Sequence, residues 1–216
     1  MRPRIQRISQ RTALPCVGAV AVAAVLLNAC AGLDSTPQGK TTTIYVLRHA
    51  EPDFKDPDRP LTDKGRARAE KLVAHFARIP ITHVYSTHTD RTRDTVAPLA
   101  RARGLAIKQF PPIGRELDGK IVGNRTSGAA AIKPLIAALK ALPASSTAVV
   151  AANSENLYPV LAGIGAPVNP ACTAERSDCL PCATRKCFDE TKFNNVWKLT
   201  LGRDGQATLS RTTYGD

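Results

Sequence analysis

Aromatic residues are scarce in this chain of 216 residues, at 5% of the sequence, and no motif of a known nucleic-acid-binding domain is present. The basic residues outnumber the acidic ones by 30 to 18, but they are scattered rather than concentrated in one segment. Nucleic-acid binding usually requires a basic stripe together with stacking or base-reading side chains. The composition therefore argues against a nucleic-acid partner, whereas the net charge of +12 favours anionic ligands or anionic membrane surfaces.

Acidic residues are absent before Asp34. In this N-terminal segment, four arginines precede an apolar run at residues 17–27. This run is shorter than the roughly 20 apolar residues that cross a bilayer comfortably. A basic start followed by a short apolar run is typical of a secretory signal peptide. We predict a signal peptide over residues 1–29, with an uncleaved anchor helix as the alternative.

The predicted signal ends in Leu27-Asn28-Ala29-Cys30, which resembles a bacterial lipobox with Cys30 as the lipidated first residue of the mature chain. Ordinary secretion after Ala29 is the alternative. Residues 30–40 then indicate a flexible tether. We predict an exported protein that is lipid-anchored to the cell envelope on the periplasmic side, at the outer membrane in a Gram-negative host. Mass analysis of the mature N-terminus tests this prediction, which an unmodified Ala31 terminus would contradict.

Four further cysteines, Cys172, Cys179, Cys182 and Cys187, lie in an insert at about residues 168–190. Zinc sites commonly combine two short Cys-x-x-Cys pairs, and only one such pair is present here. Export to an oxidising compartment favours two disulfides instead. A redox-active pair of Cys179 and Cys182 is a third interpretation. The sequence does not determine which cysteines pair. Alkylation without reductant tests whether the two disulfides are present, because disulfide-bonded cysteines would stay unlabelled.

Alternating apolar patterns after residue 40 indicate strands that alternate with amphipathic helices, which predicts a parallel sheet with right-handed crossovers. The predicted strands cover residues 41–46, 82–86, 105–110 and 147–152, and the helices begin near Thr62, Thr92 and Ile132. Residues 195–201 and 206–213 predict a hairpin. The expected fold is therefore a three-layer α/β/α domain over residues 41–216, with a mostly parallel central sheet and a C-terminal β-hairpin.

Arg48 and His49 follow the first predicted strand directly. Ligands of open α/β sheets bind at the carboxyl ends of the strands. An arginine clamps phosphate oxygens, and a neutral imidazole nitrogen can attack phosphorus. Arg91 follows the next strand, at the predicted N-terminus of a helix, which is a common anion site. These residues together predict a phosphate site.

Three ordered segments, VLRHAE at 46–51, LTDKG at 61–65 and YSTHTDRTRDTVA at 85–97, resemble the histidine phosphatase (phosphoglycerate mutase-like) superfamily. The resemblance implies hydrolysis of a phosphorylated small molecule through a phosphohistidine on His49, with Arg48 and Arg91 neutralising the phosphoryl oxygens. It implies no metal and no organic cofactor. It also places the acid that protonates the leaving group at Glu116 or Asp118, with Glu116 the better fit.

One position departs from the superfamily pattern. Where the family carries a second histidine after the strand at 147–152, this chain has Asn153. An amide donates a hydrogen bond to a phosphoryl oxygen but carries no positive charge. His88 is a possible substitute from the neighbouring strand end, and an exposed turn histidine is its alternative interpretation. The chain is therefore interpreted either as a weakened phosphatase or as an inactive pseudophosphatase that binds a phosphorylated or other anionic ligand at the cell envelope.

Overall fold

The computed structural model describes residues 41–110, 116–117, 120–121, 129–167, 191–202, 204 and 206–215, all in the unit Pro37–Asp216. Cys30, the insert cysteines and Asp118 lie outside the described residues, as do the signal peptide and the tether. The predictions for these parts of the chain therefore stay predictions. Among the described residues, no helix is long and apolar enough to cross a membrane.

A six-stranded mixed sheet forms the centre of the domain, in the order β3-β2-β6-β1-β7-β8. The strands are β1 (Thr42–Arg48), β2 (His83–Thr87), β3 (Ile107–Phe110), β6 (Thr147–Ala152), β7 (Asn195–Leu201) and β8 (Ala207–Thr213). Strands β3, β2, β6 and β1 are parallel, and β7 joins β1 in the antiparallel direction. Two short strands, β4 (Glu116–Leu117) and β5 (Lys120–Ile121), form a separate antiparallel pair.

Both faces of the sheet are covered by helices. The helices are α1 (Asp63–His75), α2 (Asp90–Arg103), α3 (Ala129–Lys140) and α4 (Ser154–Gly163). Alternate residues of β1 pack in opposite directions: Tyr45 and Leu47 join a buried cluster with α1 and α2, whereas Ile44 and Val46 join another with α3 and α4. This period-two alternation is what a strand buried on both faces requires.

The predicted fold class is confirmed, including the C-terminal hairpin, in which β7 and β8 pair from Asn195↔Thr213 to Leu201↔Ala207. Thr62 caps α1 as expected, since its hydroxyl accepts a hydrogen bond from Gly65 N at 3.1 Å. Helix α4 and the β4-β5 pair are elements that the sequence patterns did not indicate. Pro159 lies inside α4, and an internal proline removes one helical hydrogen bond, so burial rather than propensity stabilises this helix.

Candidate active site

The sheet order brings three strand ends together. Strands β2, β6 and β1 are adjacent and parallel, so the residues after their carboxyl ends meet at one edge. His49 N donates to Ala152 O at 3.0 Å, which joins the end of β1 to the end of β6. Arg48, His49, Arg91 and Asn153 form the group of side chains that we call the strand-end cluster.

His49 is oriented by a local hydrogen bond. Its side chain is buried, and Nδ1 lies 2.7 Å from Ala50 O. Because a carbonyl oxygen only accepts, Nδ1 carries the proton and Nε2 keeps a lone pair. Ala50 N in turn donates to Thr95 Oγ1 at 2.8 Å, and Thr95 Oγ1 donates to Arg91 O at 2.7 Å. The loop that carries His49 is therefore tied to helix α2, which carries Arg91.

The pKa of His49 is lowered from 6.5 to about 3, chiefly by burial; the hydrogen bond to Ala50 O opposes this shift, and the charges of Arg48, Arg91 and Arg59 add to it. Burial disfavours the charged imidazolium, and three nearby cations add to that effect. The imidazole is consequently neutral at physiological pH, which is the protonation state that a nucleophile needs.

This low pKa predicts a pH-dependent stability. Between pH 6.5 and about 3 the unfolded chain binds a proton at His49 that the folded chain does not bind, so the free energy of unfolding falls as the pH falls. We expect His49 to contribute about 3 kcal/mol to the loss between pH 7 and pH 4. Denaturant unfolding of the wild type and His49→Asn at both pH values measures this contribution.

Burial also lowers the pKa of His75, His83 and His88, so the wild type alone does not isolate His49. The informative quantity is the difference between the two proteins, and we expect His49→Asn to lose less stability on acidification. Equal losses in the two proteins would contradict the neutral, buried imidazole.

Two arginines flank His49 from different elements. Arg48 is 5% exposed, and its guanidinium carbon lies 4.1 Å from the ring centroid of Phe193, in a cation–π arrangement. Arg91 lies in the first turn of α2, where the positive end of the helix dipole also favours anions. Its Nε is buried and has no hydrogen-bond partner within the described part of the chain. A buried, unpartnered donor at a helix N-terminus has the chemistry that binding of an anion requires.

The turn that delivers Arg91 is held by a buried threonine. Thr92 Oγ1 donates to Thr87 O and to Thr89 O, both at 2.7 Å, which fixes the passage from β2 into α2. Burial lowers the pKa of Arg91, Glu155 raises it, and the charge of Arg59 lowers it again. Asp90 also raises it, so Arg91 belongs to a cationic site that two exposed carboxylates partly balance.

Asn153 reaches the same region from β6. It is 1% exposed and directly precedes α4, and its Oδ1 accepts a hydrogen bond from Thr89 Oγ1 at 3.1 Å. With the oxygen engaged by Thr89, the amide nitrogen is the remaining donor. Because Thr89 directly precedes α2, this hydrogen bond joins Asn153 to the start of the helix that carries Arg91.

A second set of contacts holds the segment after His49. Thr62 N donates to Glu51 O at 3.0 Å, and a Cβ at Gly65 would overlap that same oxygen, so the LTDKG segment needs a glycine there. The Glu51 carboxylate accepts from Arg68 Nε at 2.9 Å and from Arg68 Nη2 at 2.8 Å. Arg68 Nη1 also donates to Tyr214 O at 3.1 Å. The segment after His49 is therefore joined through Arg68 to the residues after β8.

The remaining predicted site residues include His88 and Glu116. His88 is half-buried, and burial lowers its pKa, as does the charge of Arg91, whereas Glu155 raises it. The backbone of Glu116 belongs to β4, but its side chain is not described. The side chains that sequence reasoning missed are Thr89, Phe193, Glu155 and Arg59; Thr89 lies within the 85–97 segment, but its contact with Asn153 was not predicted. Across the described ranges, no group of three or more His, Cys, Asp or Glu side chains could hold a metal ion.

The sequence of this chain is similar to known proteins over the residues that include part of the strand-end cluster. Residues 44–128 match the histidine phosphatase superfamily (branch 1). The chain is 32% identical over 89 residues to a probable phosphoglycerate mutase GpmB of Escherichia fergusonii, a match that covers 38% of this chain and 41% of the relative. Over these residues the chain is therefore similar to the histidine phosphatase superfamily and to probable phosphoglycerate mutases. It spans less than half the length of the curated relatives that it matches.

Solved structures share the fold over most of the chain. A phosphoglycerate mutase from Bacillus anthracis superimposes with a TM-score of 0.52 at 15% identity, covering 81% of this chain and 94% of that one. A mycobacterial glucosyl-3-phosphoglycerate phosphatase gives a TM-score of 0.51 at 16% identity, covering 81% and 98% respectively. At these identities the likeness establishes the α/β fold and nothing further about activity.

Proposed function

We propose that this protein hydrolyses phosphomonoesters through a phosphohistidine on His49. The observation that carries the proposal is the neutral, buried imidazole, whose Nδ1 is engaged by Ala50 O and whose Nε2 is therefore the nucleophilic nitrogen. Arg48 and Arg91 supply the positive charge that the phosphoryl oxygens need as the leaving group departs. The resemblance to histidine phosphatases supports the same assignment.

The reaction has two steps. In the first, Nε2 of His49 forms a bond to phosphorus, the bond to the ester oxygen breaks, and a carboxylic acid protonates the departing alkoxide. Glu116, or alternatively Asp118, is the proposed acid. In the second, water attacks the phosphohistidine, a proton returns to the carboxylate, and inorganic phosphate leaves His49 in its starting state.

Asn153 is the proposed replacement for the second histidine of the superfamily. It follows β6, as that histidine does in the family pattern, and it lies against Thr89. A neutral amide stabilises the transferring phosphoryl group less than an imidazolium does, since it carries no charge. This substitution also favours the second candidate function, a pseudophosphatase that binds an anionic ligand with Arg48 and Arg91 without turning it over.

Phosphate release from p-nitrophenyl phosphate tests the first function. We expect His49→Gln to lower the rate at least about 100-fold, because the nucleophile is lost. His83→Gln is the matched control, since His83 begins β2 at the opposite end of that strand from the site. A base-stable, acid-labile phosphoenzyme should form in the wild type and in His83→Gln but not in His49→Gln. No turnover by the wild type, with saturable vanadate binding that depends on Arg91, would instead support the pseudophosphatase.

A further inference from the structure

Phe193 reaches the strand-end cluster from the antiparallel part of the sheet, since it lies just before β7. Strand β7 runs antiparallel to β1, with Val196 paired to Leu47, so the residues that precede β7 lie at the same edge of the sheet as the end of β1. Asn194 O accepts a hydrogen bond from Tyr214 N at 3.0 Å. The backbone beside Phe193 is therefore held by the residues that follow β8.

Phe193 is buried, yet it does not belong to the hydrophobic core. It is 8% exposed, but none of the three clusters of buried apolar side chains in the described part of the chain includes it. Its ring centroid lies 4.1 Å from the guanidinium carbon of Arg48 and 5.9 Å from the ring centroid of His49, with the two rings tilted by 44°. A phenylalanine that only filled the core would pack among apolar side chains. This ring lies instead against the arginine and the histidine of the predicted phosphate site.

The contact with Arg48 has a chemical property that suits an anion site. A guanidinium within about 6 Å of an aromatic ring centroid is attracted by the ring face, most strongly where water is excluded, and Arg48 is itself buried. A phenyl ring has no lone pair, so this attraction engages none of the five N–H donors of the guanidinium. Phe193 can therefore fix the position of the cation without competing with an anion for its hydrogen bonds.

We propose that Phe193 is a positioning residue of the phosphate site, which holds the guanidinium of Arg48 in the arrangement that binds the phosphoryl group. The proposal rests on the proposed function of the strand-end cluster as a phosphate site, but it does not depend on turnover. Phe193 acts through Arg48 and does not itself bind the phosphoryl group. Without the ring, the guanidinium occupies the binding arrangement for only part of the time, and the apparent dissociation constant rises by the inverse of that fraction.

Binding of orthovanadate to the full chain tests this role. Phe193→Leu keeps an apolar side chain but removes the aromatic face, so we expect the dissociation constant to rise at least about fivefold. Phe193→Tyr keeps the aromatic face and should stay within about twofold of wild type. Isothermal calorimetry gives the constants, and denaturant unfolding shows that each variant is folded. Phe193→Met replaces the leucine variant if that protein does not fold.

A double-mutant cycle with Arg48→Ala separates positioning of the guanidinium from a general loss of packing. Once the guanidinium is absent, the ring has nothing to hold, so Phe193→Leu should change the vanadate affinity of the Arg48→Ala protein by less than about twofold. A loss of about fivefold in both backgrounds would show that the ring acts independently of Arg48, and it would overturn the proposal. Equal weakening by Phe193→Tyr and Phe193→Leu would also overturn it, because the aromatic face would then make no difference.

Phe76→Leu is the matched control, because it makes the same chemical change in the core. Phe76 is fully buried, and its ring centroid lies 5.0 Å from that of Tyr45, in the interior of β1. We expect this variant to lose stability but to keep its vanadate affinity within about twofold of wild type. Weakening equal to that of Phe193→Leu would attribute the effect to lost packing and overturn the proposal. Unchanged binding in Phe193→Leu would overturn the positioning role alone, whereas a wild type that binds no vanadate would overturn the phosphate site and this proposal with it.

Discussion

Replacing Asn153 by histidine is expected to raise the turnover of an aryl phosphate by at least about tenfold. Removing one stabiliser of transition-state charge typically costs a factor of about 10²–10³, so restoring one should recover part of that range. Asn153 is buried and directly precedes α4, so a side chain there is held in place by its surroundings. A charged imidazole donates from both ring nitrogens, so in Asn153→His the Thr89 hydroxyl would accept this hydrogen bond, which it donates in the wild type.

Asn153→Asp is the control for the effect of charge at this position. It preserves the shape of the side chain but adds a negative charge beside the phosphoryl group, so we expect both turnover and vanadate affinity to fall. Steady-state kinetics on folded variants measures both effects. If Asn153→His leaves a brisk wild-type rate unchanged, another group supplies the charge, and His88→Ala is then the decisive variant because His88 lies at the neighbouring strand end.

Alanine at Arg91 is expected to weaken vanadate binding by about 100-fold, even if the protein turns over slowly. Two charge-assisted hydrogen bonds from a guanidinium at a helix N-terminus account for a loss of this size. Arg93→Ala is the matched control in the same turn of α2, because Arg93 instead pairs with Asp90 at 2.8 Å and with Asp94 at 3.0 Å. We expect the Arg93 variant to stay within about twofold of wild type.

Arg48→Ala should weaken vanadate binding similarly, but it also removes the packing of the guanidinium on Phe193, so a loss of stability accompanies it. Arg48→Lys separates the two effects, since it keeps the charge while losing the planar, bidentate donor. Partial recovery of binding in the lysine variant is expected. Unaltered binding in Arg91→Ala and Arg48→Lys together would mean that the anion site lies elsewhere.

The sequence predicted the site best where polar residues come at the end of a buried strand. Arg48 and His49 directly follow an apolar run, and Arg91 follows the next one, so the parallel arrangement alone places them at one edge of the sheet. Helix α4 was missed because it has only ten residues, and Asn156 and Pro159 interrupt its apolar pattern, although Leu157, Val160 and Leu161 are fully buried along it. Its stability depends on tertiary packing, which local propensity does not report.

Sequence patterns did not predict contacts between segments that are distant in the chain. The ring of Phe193 lies under Arg48, and Thr89 bonds to Asn153, yet no periodicity or motif links these pairs. The left-handed backbone of Arg59 is equally unexpected, because glycine is the residue that normally marks such a position. The lipid anchor at Cys30 and the disulfides of the insert stay predictions.

Strand β1 lies between β6 and β7 in the sheet, so it can pair only after later parts of the chain have been synthesised. Thr43 pairs with Thr147 on one side and with Thr200 on the other, and Arg68 bonds both Glu51 and Tyr214. Strand β1, which directly precedes His49, is synthesised first among the sheet strands, but it acquires its partners only when much later residues have left the ribosome. Such non-local pairing slows folding. An unpaired β1 is apolar and open at both edges in that interval, which is the period when this chain is most exposed to aggregation.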